Sequence, residues 1–320
     1  MSIKGILYGL CIGDALGGRY EFKTKDLIKD MIKKDKKDNY LPILGGGVFN
    51  LEPGQLTDDS EMAIELLLSI VKDKKYSQNG AAKGYIHWFH TGPIDKGNTI
   101  EKAISSFTLK SKNKKDMITN SSRYNSTSLS NGTLMRIAPI SILYKKCSLK
   151  AMKSFVEKDC ELTHPHPFVC EITWLYVYAI LQCLQGIDRT QIFENLLKET
   201  TIPNIYLLLL NAQRRPEPCI LDGVEVFTDN PKFQGFCGIA FQNCIYELVN
   251  GSSFAESILS VLKRGGDTDT NCCITGGLLG AYYGMEGIDK RWIDTLRHYE
   301  GSRVNLYSLN KVDEYLAKWK

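Results

Sequence analysis

Two short acidic segments stand out because they gather oxygen ligands just before predicted helices. Thr57, Asp58 and Asp59 precede an amphipathic segment, and Asp267-Thr268-Asp269-Thr270 follows a pair of glycines. Oxygen ligands of this kind are those that Mg²⁺, Mn²⁺ and Ca²⁺ prefer. Taken alone, each segment also fits an ordinary helix cap, with Asp58 and Glu61 as a capping box. Together they favour a metal centre, since four neighbouring carboxylates repel one another unless cations neutralise them.

A third segment, GDALGGRYEF, places two more carboxylates near a predicted helix end. Gly13 and Gly17 permit close approach of another backbone. Asp14 lies inside an apolar helix, so we predict that it is a buried hydrogen-bonding residue that ties neighbouring helix ends together. Glu21 follows where this helix should end and is better placed to reach a reaction site.

The segment SLSNGTLMRIAPI is a candidate anion site. Ser130, Asn131 and Gly132 precede a predicted helix, whose free amide groups and positive dipole end suit a phosphate. A plain Asn-Gly turn is the alternative interpretation.

Two histidines and two cysteines share the segment CELTHPHPFVC. Cys160, His164, His166 and Cys170 offer the sulfur and nitrogen ligands of a zinc site. Their spacing lacks the paired ligands of known finger types, and both cysteines lie on apolar helical faces. We therefore favour a histidine that hydrogen-bonds a phosphate.

The surrounding elements are almost all helical, because apolar residues recur at helical spacing along most of the chain. Only 41–49 and 223–227 look extended, and neither could anchor a sheet. Close backbone packing is expected around the glycines at 276, 277, 280 and 284. The sequence predicts an all-α fold in one domain, 1–320, with helices at 3–17, 59–72, 80–90, 98–109, 132–146, 149–162, 168–185, 190–199, 203–213, 236–249, 253–264, 270–284, 289–299 and 311–319.

Composition excludes several classes of protein. The formal net charge is +4, which is too balanced for a nucleic-acid binder. Lysines crowd 23–37 and 110–115, which we interpret as a solvated helix face and a surface loop. The amino-terminal segment lacks the features of a signal peptide, and no apolar stretch is long and unbroken enough to predict a membrane span. Ten cysteines without disulfide spacing predict reduced core residues in a cytoplasmic protein.

Five segments, in order, resemble the signatures of the ADP-ribosylglycohydrolase family: GDALGGRYEF, LTDDSEMAI, SNGTLMRIAPI, LTHPHP and GGDTDTNCCITGGLLGAYYG. The resemblance spans 13–284. It implies a compact orthogonal multi-helix bundle with two Mg²⁺ ions, sometimes Mn²⁺, at its centre.

The resemblance also implies a set of site residues. Glu21 matches a carboxylate that gates the site in several members, and we assign Asp59 or Asp269 as ligand and proton acceptor, with Glu21 as their positional or acid/base partner. The implied metal ligands are Thr57, Asp58, Asp59, Asp267, Asp269 and Thr270. The positions that would hold ADP-ribose are Gly97, Ser128, Asn131, Gly132 and His164.

Two positions depart from the family pattern. Ser130 stands where the family usually has glycine, and Ser60 where it usually has threonine; neither change removes an implied ligand, although the first could shift the phosphate loop.

The activity implied is metal-dependent hydrolysis that frees ADP-ribose from a protein arginine or serine, a polymer or a small molecule. Loops 94–99 and 216–234 are expected to set the acceptor. The alternatives are a catalytically silent ADP-ribose-binding module and a two-metal phosphohydrolase. We expect a monomer that acts on an ADP-ribosylated protein or an ADP-ribose-containing small molecule, with no nucleic acid or membrane partner.

Overall fold

The computed structural model describes residues 2–105 and 110–319, and this part of the chain confirms the all-α prediction. A hairpin of β1 (Cys219–Leu221) and β2 (Val224–Val226) is its one small antiparallel sheet within the described residues. The α-helices are α1 (Ile3–Gly17), α2 (Lys25–Asp35), α3 (Asp58–Asp73), α4 (Gln78–His90), α5 (Asn98–Ile104), α6 (Lys114–Tyr124), α7 (Leu134–Ile137), α8 (Leu149–Glu161), α9 (Pro167–Leu184), α10 (Arg189–Glu199), α11 (Pro203–Arg214), α12 (Cys237–Asn250), α13 (Phe254–Leu262), α14 (Thr268–Tyr283), α15 (Lys290–Arg297) and α16 (Leu309–Lys318).

Serine caps explain where many of these helices begin. A serine hydroxyl at the N-cap accepts a hydrogen bond from the amide three residues later, which pairs a donor that the helix itself leaves free. This arrangement occurs at Ser2, Ser77, Ser148, Ser253 and Ser308.

A glycine seam holds α1 against α14 at the centre of the fold. A Cβ atom on Gly5 would lie 2.4 Å from the carbonyl oxygen of Gly280, and one on Gly9 would lie 2.1 Å from that of Gly276. Gly17, at the end of α1, faces the first residue of α14, so the two helices are antiparallel. The close backbone packing predicted at Gly276 and Gly280 is confirmed, whereas a Cβ on Gly277 would meet the Tyr176 hydroxyl group. Because the helices are antiparallel, the end of α1 meets the start of α14.

Gly9→Ala is expected to lower the free energy of unfolding by about 1–3 kcal/mol, since the new methyl group meets backbone that cannot move aside without separating the helices. Urea denaturation measures the change. Gly84→Ala on α4 is the control, because its Cβ would meet its nearest neighbours, atoms of Glu65, at 3.3 Å or more. A Gly9→Ala protein as stable as the wild type would show that the seam does not constrain the two helices.

The predicted helix at 132–146 is wrong in type and length. One α-helical turn, α7, continues as a 3₁₀-helix over Ala138–Leu143. Pro139 has no amide hydrogen to donate to the carbonyl oxygen of Met135, so the α-helical ladder stops there. The Cys273 thiol donates to that Met135 carbonyl oxygen instead, at 3.7 Å.

Other differences concern short elements. Helix α2 was expected only as a solvated helix face, and it buries Ile28 and Ile32. The predicted surface loop at 110–115 contains the start of α6, which Asn113 caps. The predicted helix at 98–109 ends at Ile104 as α5, and 106–109 lies outside the described residues. The predicted extended segment 41–49 forms no strand, whereas 223–227 contains β2.

Helix α9 is long and apolar enough to cross a bilayer, the one such helix among 2–105 and 110–319, and 67% of it is buried inside the protein. It packs against α8, α10, α12 and α14, as a core helix does.

All ten cysteines are free, and Cys147 and Cys170 are the two that are partly exposed.

Candidate active site

The antiparallel pair places Glu21 beside the first acidic residues of α14. The chain leaves α1 and pairs with the loop before α14, where the Phe22 amide donates to the Gly266 carbonyl at 2.7 Å and the Gly266 amide to the Lys23 carbonyl at 3.0 Å. Gly266 has a φ of +74°, and a Cβ there would lie 2.0 Å from the Thr228 carbonyl oxygen. Glycine is therefore required at this crossing.

Asp14 brings the start of α3 to the same place. Its carboxylate is fully buried and accepts hydrogen bonds from the Thr57 hydroxyl at 2.8 Å, the Thr57 amide at 3.1 Å and the Ser60 amide at 3.2 Å. The prediction that Asp14 ties helix ends together is confirmed. The capping-box alternative is wrong, because Glu61 accepts from Trp88 Nε1 and Arg303.

Three carboxylates form a buried group that could hold a metal ion. Glu21, Asp267 and Asp269 each offer an oxygen atom, and these atoms lie within 4.8 Å of one another. Asn131 donates from Nδ2 to Asp267 Oδ2 at 2.8 Å and so orients that carboxylate. This is the one group of three or more such ligands found in the described part of the chain.

The Thr57-Asp58-Asp59 cluster meets this group from α3. Asp58 lines the same cavity, and the Thr270 side chain of the second cluster lies close enough to Asp59 to lower the pKa of its carboxyl group. Asp59 is 1% exposed and lies behind the cavity, where Thr57 Oγ1 approaches its Oδ2 at 3.2 Å. The structure thus brings together both acidic clusters that the sequence indicated.

The electrostatics of the site fit a bound cation. Burial, followed by repulsion from Asp267, raises the pKa of Glu21 to about 9. Burial and neighbouring carboxylates raise the pKa values of Asp58, Asp59 and Asp269 well above their usual range. Glu21 Oε2 and Asp59 Oδ1 are buried without a hydrogen-bond partner. Divalent cations would pair these oxygens and remove the repulsion.

The acidic group lies in a cavity of about 350 Å³. Clefts of about 360 Å³ between α3 and α4 and about 510 Å³ beside the hairpin have similar volumes but lack such a group. The cavity is lined by Glu21, Phe22, Asp58, Asp95, Gly97, Asn98, Thr99, Ile100, Ser130, Asn131, Gly132, Met135, His164, Gln234, Gly235, Asp267, Asp269 and Thr270.

Four of the five residues predicted to hold ADP-ribose line this cavity: Gly97, Asn131, Gly132 and His164. Ser128 lies beside it, with its hydroxyl oxygen 3.0 Å from that of Thr99. The helix that was expected to present amide groups to a phosphate after Gly132 is the four-residue α7, so the helix-dipole argument fails there. The side-chain hydroxyl groups of Thr99, Ser128 and Ser130 lie close together there.

Asp95 is a cavity residue that the sequence interpretation did not identify. Burial raises its pKa, and the charge of Asp267 raises it further, although the Lys96 amide opposes this by donating to its Oδ1 at 2.7 Å. The available signal was a lone carboxylate in the loop 94–99 that was expected to set the acceptor.

The zinc hypothesis is not supported by the structure. His164 Nε2 lies 2.8 Å from Ser130 Oγ and His164 Nδ1 lies 2.7 Å from Thr163 Oγ1, so both ring nitrogens are occupied. His166 Nδ1 accepts from the Phe168 amide at the start of α9.

Without a divalent cation in the site, the free energy of unfolding should depend strongly on pH. Glu21 has a pKa of 4.5 in the unfolded chain and about 9 in the folded one, so the folded protein binds the proton more tightly. The stability contributed by protonated Glu21 is fully present below about pH 4.5. As pH rises from there to about 9, the free energy of unfolding falls by about 1 kcal/mol for each pH unit. Urea denaturation in EDTA from pH 5 to 9 checks this.

A divalent cation such as Mg²⁺ that binds the folded site alone should restore the lost stability, and more at high pH. Asp269→Asn is the control: one fewer charge should flatten the dependence. A stability in EDTA that rises or stays constant across this range would contradict the electrostatic description of the site.

Comparisons with known proteins agree with this geometry. The sequence profile of the ADP-ribosylglycohydrolase family matches residues 2–318. A protein of Acanthamoeba polyphaga mimivirus named as an ADP-ribosyl glycohydrolase is 31% identical, over 92% of this chain and 91% of its own length. The ADP-ribosylarginine hydrolase Tri1 of Pseudomonas putida is 25% identical, over 91% of this chain and 73% of its own length.

Two further similarities cover nearly the whole chain. The ADP-ribosyl-[dinitrogen reductase] glycohydrolase of Rhodospirillum rubrum is 25% identical, over 98% of this chain and 95% of its own length. A solved structure described as an ADP-ribosylglycohydrolase-related protein complex shares the fold with a TM-score of 0.74 at 21% identity, over 99% of this chain and 96% of that one. The chain belongs to the ADP-ribosylglycohydrolase family.

Proposed function

We propose that this chain hydrolyses the glycosidic bond between ADP-ribose and an acceptor side chain, with two Mg²⁺ ions, or Mn²⁺, as cofactors. The observation that carries the proposal is the buried group of Glu21, Asp267 and Asp269, which shares one cavity with Asn131 and Gly132. Hydrolysis of such a bond passes through an oxocarbenium-like transition state, so the site must orient a water molecule and stabilise positive charge on the ribose.

The residues divide this work by position. Glu21, Asp58, Asp267 and Asp269 would hold the cations, which when bound would supply charge that orients ribose hydroxyl groups and acidifies a nearby water. Asp269 lines the cavity whereas Asp59 lies behind it, which favours Asp269 as the acceptor of the water proton. Glu21, with Oε2 unpaired, is placed to position the water.

We further propose arginine as the acceptor. Asp95 and Asp58 line the same cavity, and the pKa of Asp58 is raised by Asp95 after burial, so the two carboxylates interact. The guanidinium group of an ADP-ribosylated arginine could lie between them and neutralise the repulsion, which a neutral serine linkage does not do. Relatives from Pseudomonas putida and Serratia proteamaculans are named ADP-ribosylarginine hydrolases.

Asp95→Asn is expected to lower kcat/KM for an ADP-ribosylarginine peptide by about 10- to 100-fold, the effect of weakening one hydrogen bond to a charged group. Activity on a matched ADP-ribosylserine peptide should change by less than about threefold, because that acceptor carries no charge. Release of intact ADP-ribose from each peptide is the measurement.

Asp30→Asn on the exposed face of α2 is the control and should leave both activities unchanged. Equal losses on both peptides would exclude Asp95 as the residue that selects arginine. If the wild type releases AMP or phosphate, the phosphohydrolase alternative is correct. If it binds ADP-ribose and releases nothing from any substrate, the chain is a binding module.

A further inference from the structure

A chain of hydrogen bonds connects a buried ion pair to the cavity wall. Arg136 pairs with Asp159 at 2.9 Å and donates from Nη2 to Thr163 Oγ1 at 2.8 Å. Thr163 Oγ1 lies 2.7 Å from His164 Nδ1, and His164 Nε2 lies 2.8 Å from Ser130 Oγ. The first four residues are 0% exposed, while Ser130 is half-buried and lines the cavity.

The direction of these hydrogen bonds follows from the buried arginine. A guanidinium group can only donate, so Thr163 Oγ1 accepts from Arg136. If Thr163 also accepted from His164, its own hydrogen would be buried with no acceptor among the described residues, which is unfavourable. The Thr163 hydroxyl therefore donates to His164 Nδ1, and the histidine carries its proton on Nε2. Burial and the Arg136 charge both lower the pKa of His164, so the ring is neutral.

This direction excludes one apparent role for Ser130. A serine 2.8 Å from a histidine resembles a nucleophile with its general base. A general base needs a free lone pair on the nitrogen that faces the serine, and here that nitrogen is protonated. His164 donates to Ser130 Oγ, so the Ser130 hydrogen is directed elsewhere; Thr99 Oγ1 lies 3.1 Å away as an acceptor.

Ser130 also lines two neighbouring cavities. It lines the cavity that holds the acidic group, and it lines a neighbouring groove of about 310 Å³ together with Leu129, Lys232 and Phe236. A ligand with its ribose at the carboxylates and its aromatic base in the groove beside Phe236 would place its diphosphate near Ser130, which both cavities share. A hydroxyl donor at that point would form a charge-assisted hydrogen bond.

We propose that Ser130 contacts the ligand directly by donating to a diphosphate oxygen of ADP-ribose. Thr163 and His164 are positioning residues, which direct the Ser130 hydrogen away from the histidine, so that it can turn from Thr99 Oγ1 to the ligand. The inference rests on the proposed function for the identity of the ligand. It assigns the direct contact to Ser130 and places the buried His164 ring behind it as a support.

Nitrogen-15 NMR of the histidine rings, without ligand, tests the direction of the hydrogen bonds. His164 signals are assigned by their loss in His164→Gln. The wild type should show an unprotonated Nδ1 and a protonated Nε2. Thr163→Val should lose this single form, and Thr163→Ser, which keeps the hydroxyl, should restore it. A protonated Nδ1 in the wild type, or labelling of Ser130 by a fluorophosphonate, would overturn the inference.

Calorimetry with ADP-ribose tests the ligand contact separately from turnover. Ser130→Ala should weaken binding by about 10- to 100-fold, whereas Ser126→Ala, at an exposed position in the same segment, should not. Unchanged affinity in Ser130→Ala, or no binding by the wild type, would overturn the contact. Tight binding without hydrolysis of any substrate would overturn only the proposed function.

Discussion

Asp269→Asn is expected to lower the turnover of ADP-ribosylated substrate by at least about 1000-fold, equivalent to about 4 kcal/mol of transition-state stabilisation. Asp269 belongs to the buried group with Glu21 and Asp267, lines the cavity and is the proposed proton acceptor. Its loss removes both a cation ligand and the base. Release of ADP-ribose gives the rate, and calorimetric titration with Mn²⁺ gives the metal affinity, which should fall in parallel.

The same variant distinguishes a damaged site from a damaged fold. Asparagine removes one of several mutually repelling charges, so in EDTA the variant should be at least as stable as the wild type. Asp294→Asn on the exposed face of α15 should leave turnover, metal affinity and stability unchanged. Full activity of Asp269→Asn, or of the wild type in EDTA, would exclude the metal-dependent mechanism.

Arg136→Met is expected to lower the free energy of unfolding by about 3–5 kcal/mol, because it leaves the Asp159 carboxylate buried without its cation. Both side chains are 0% exposed, and Asp159 also accepts from the Tyr85 hydroxyl at 2.9 Å. Adding Asp159→Asn should recover part of the loss, since no uncompensated charge then remains. Urea denaturation of the single and double variants measures both changes. A loss below about 1 kcal/mol would show that water reaches the ion pair.

The sequence predicted the chemical centre better than the elements around it. Asp58 and Asp267 lie some two hundred residues apart, and they were expected to meet because both clusters offer oxygen ligands to the same cations and match the metal ligands of the family they resemble. Gly276 and Gly280 indicated close packing, and Asp14 indicated a tie between helix ends. Each of these signals is local, since it depends on a residue type that is unfavourable in its own segment unless a partner exists.

Features that leave no signal in their own segment could not be predicted. Nothing local in GDALGGRYEF shows that α1 runs antiparallel to α14, which is what places Glu21 at Asp269. Asp95 is a single carboxylate in a loop, and only its approach to Asp58 distinguishes it from a surface residue. Ser130 was noted as a departure from the family pattern. The direction of its hydrogen bond with His164 depends on Thr163 and Arg136, which lie behind that ring.

We propose that both acidic clusters surround cations in one cavity, and anomalous X-ray scattering from crystals grown with Mn²⁺ tests this most directly. We predict two strong anomalous peaks in the cavity, bounded by Glu21, Asp267 and Asp269 on one side and by Asp58 on the other. No peak at these carboxylates, at a Mn²⁺ concentration that supports turnover, would contradict the account.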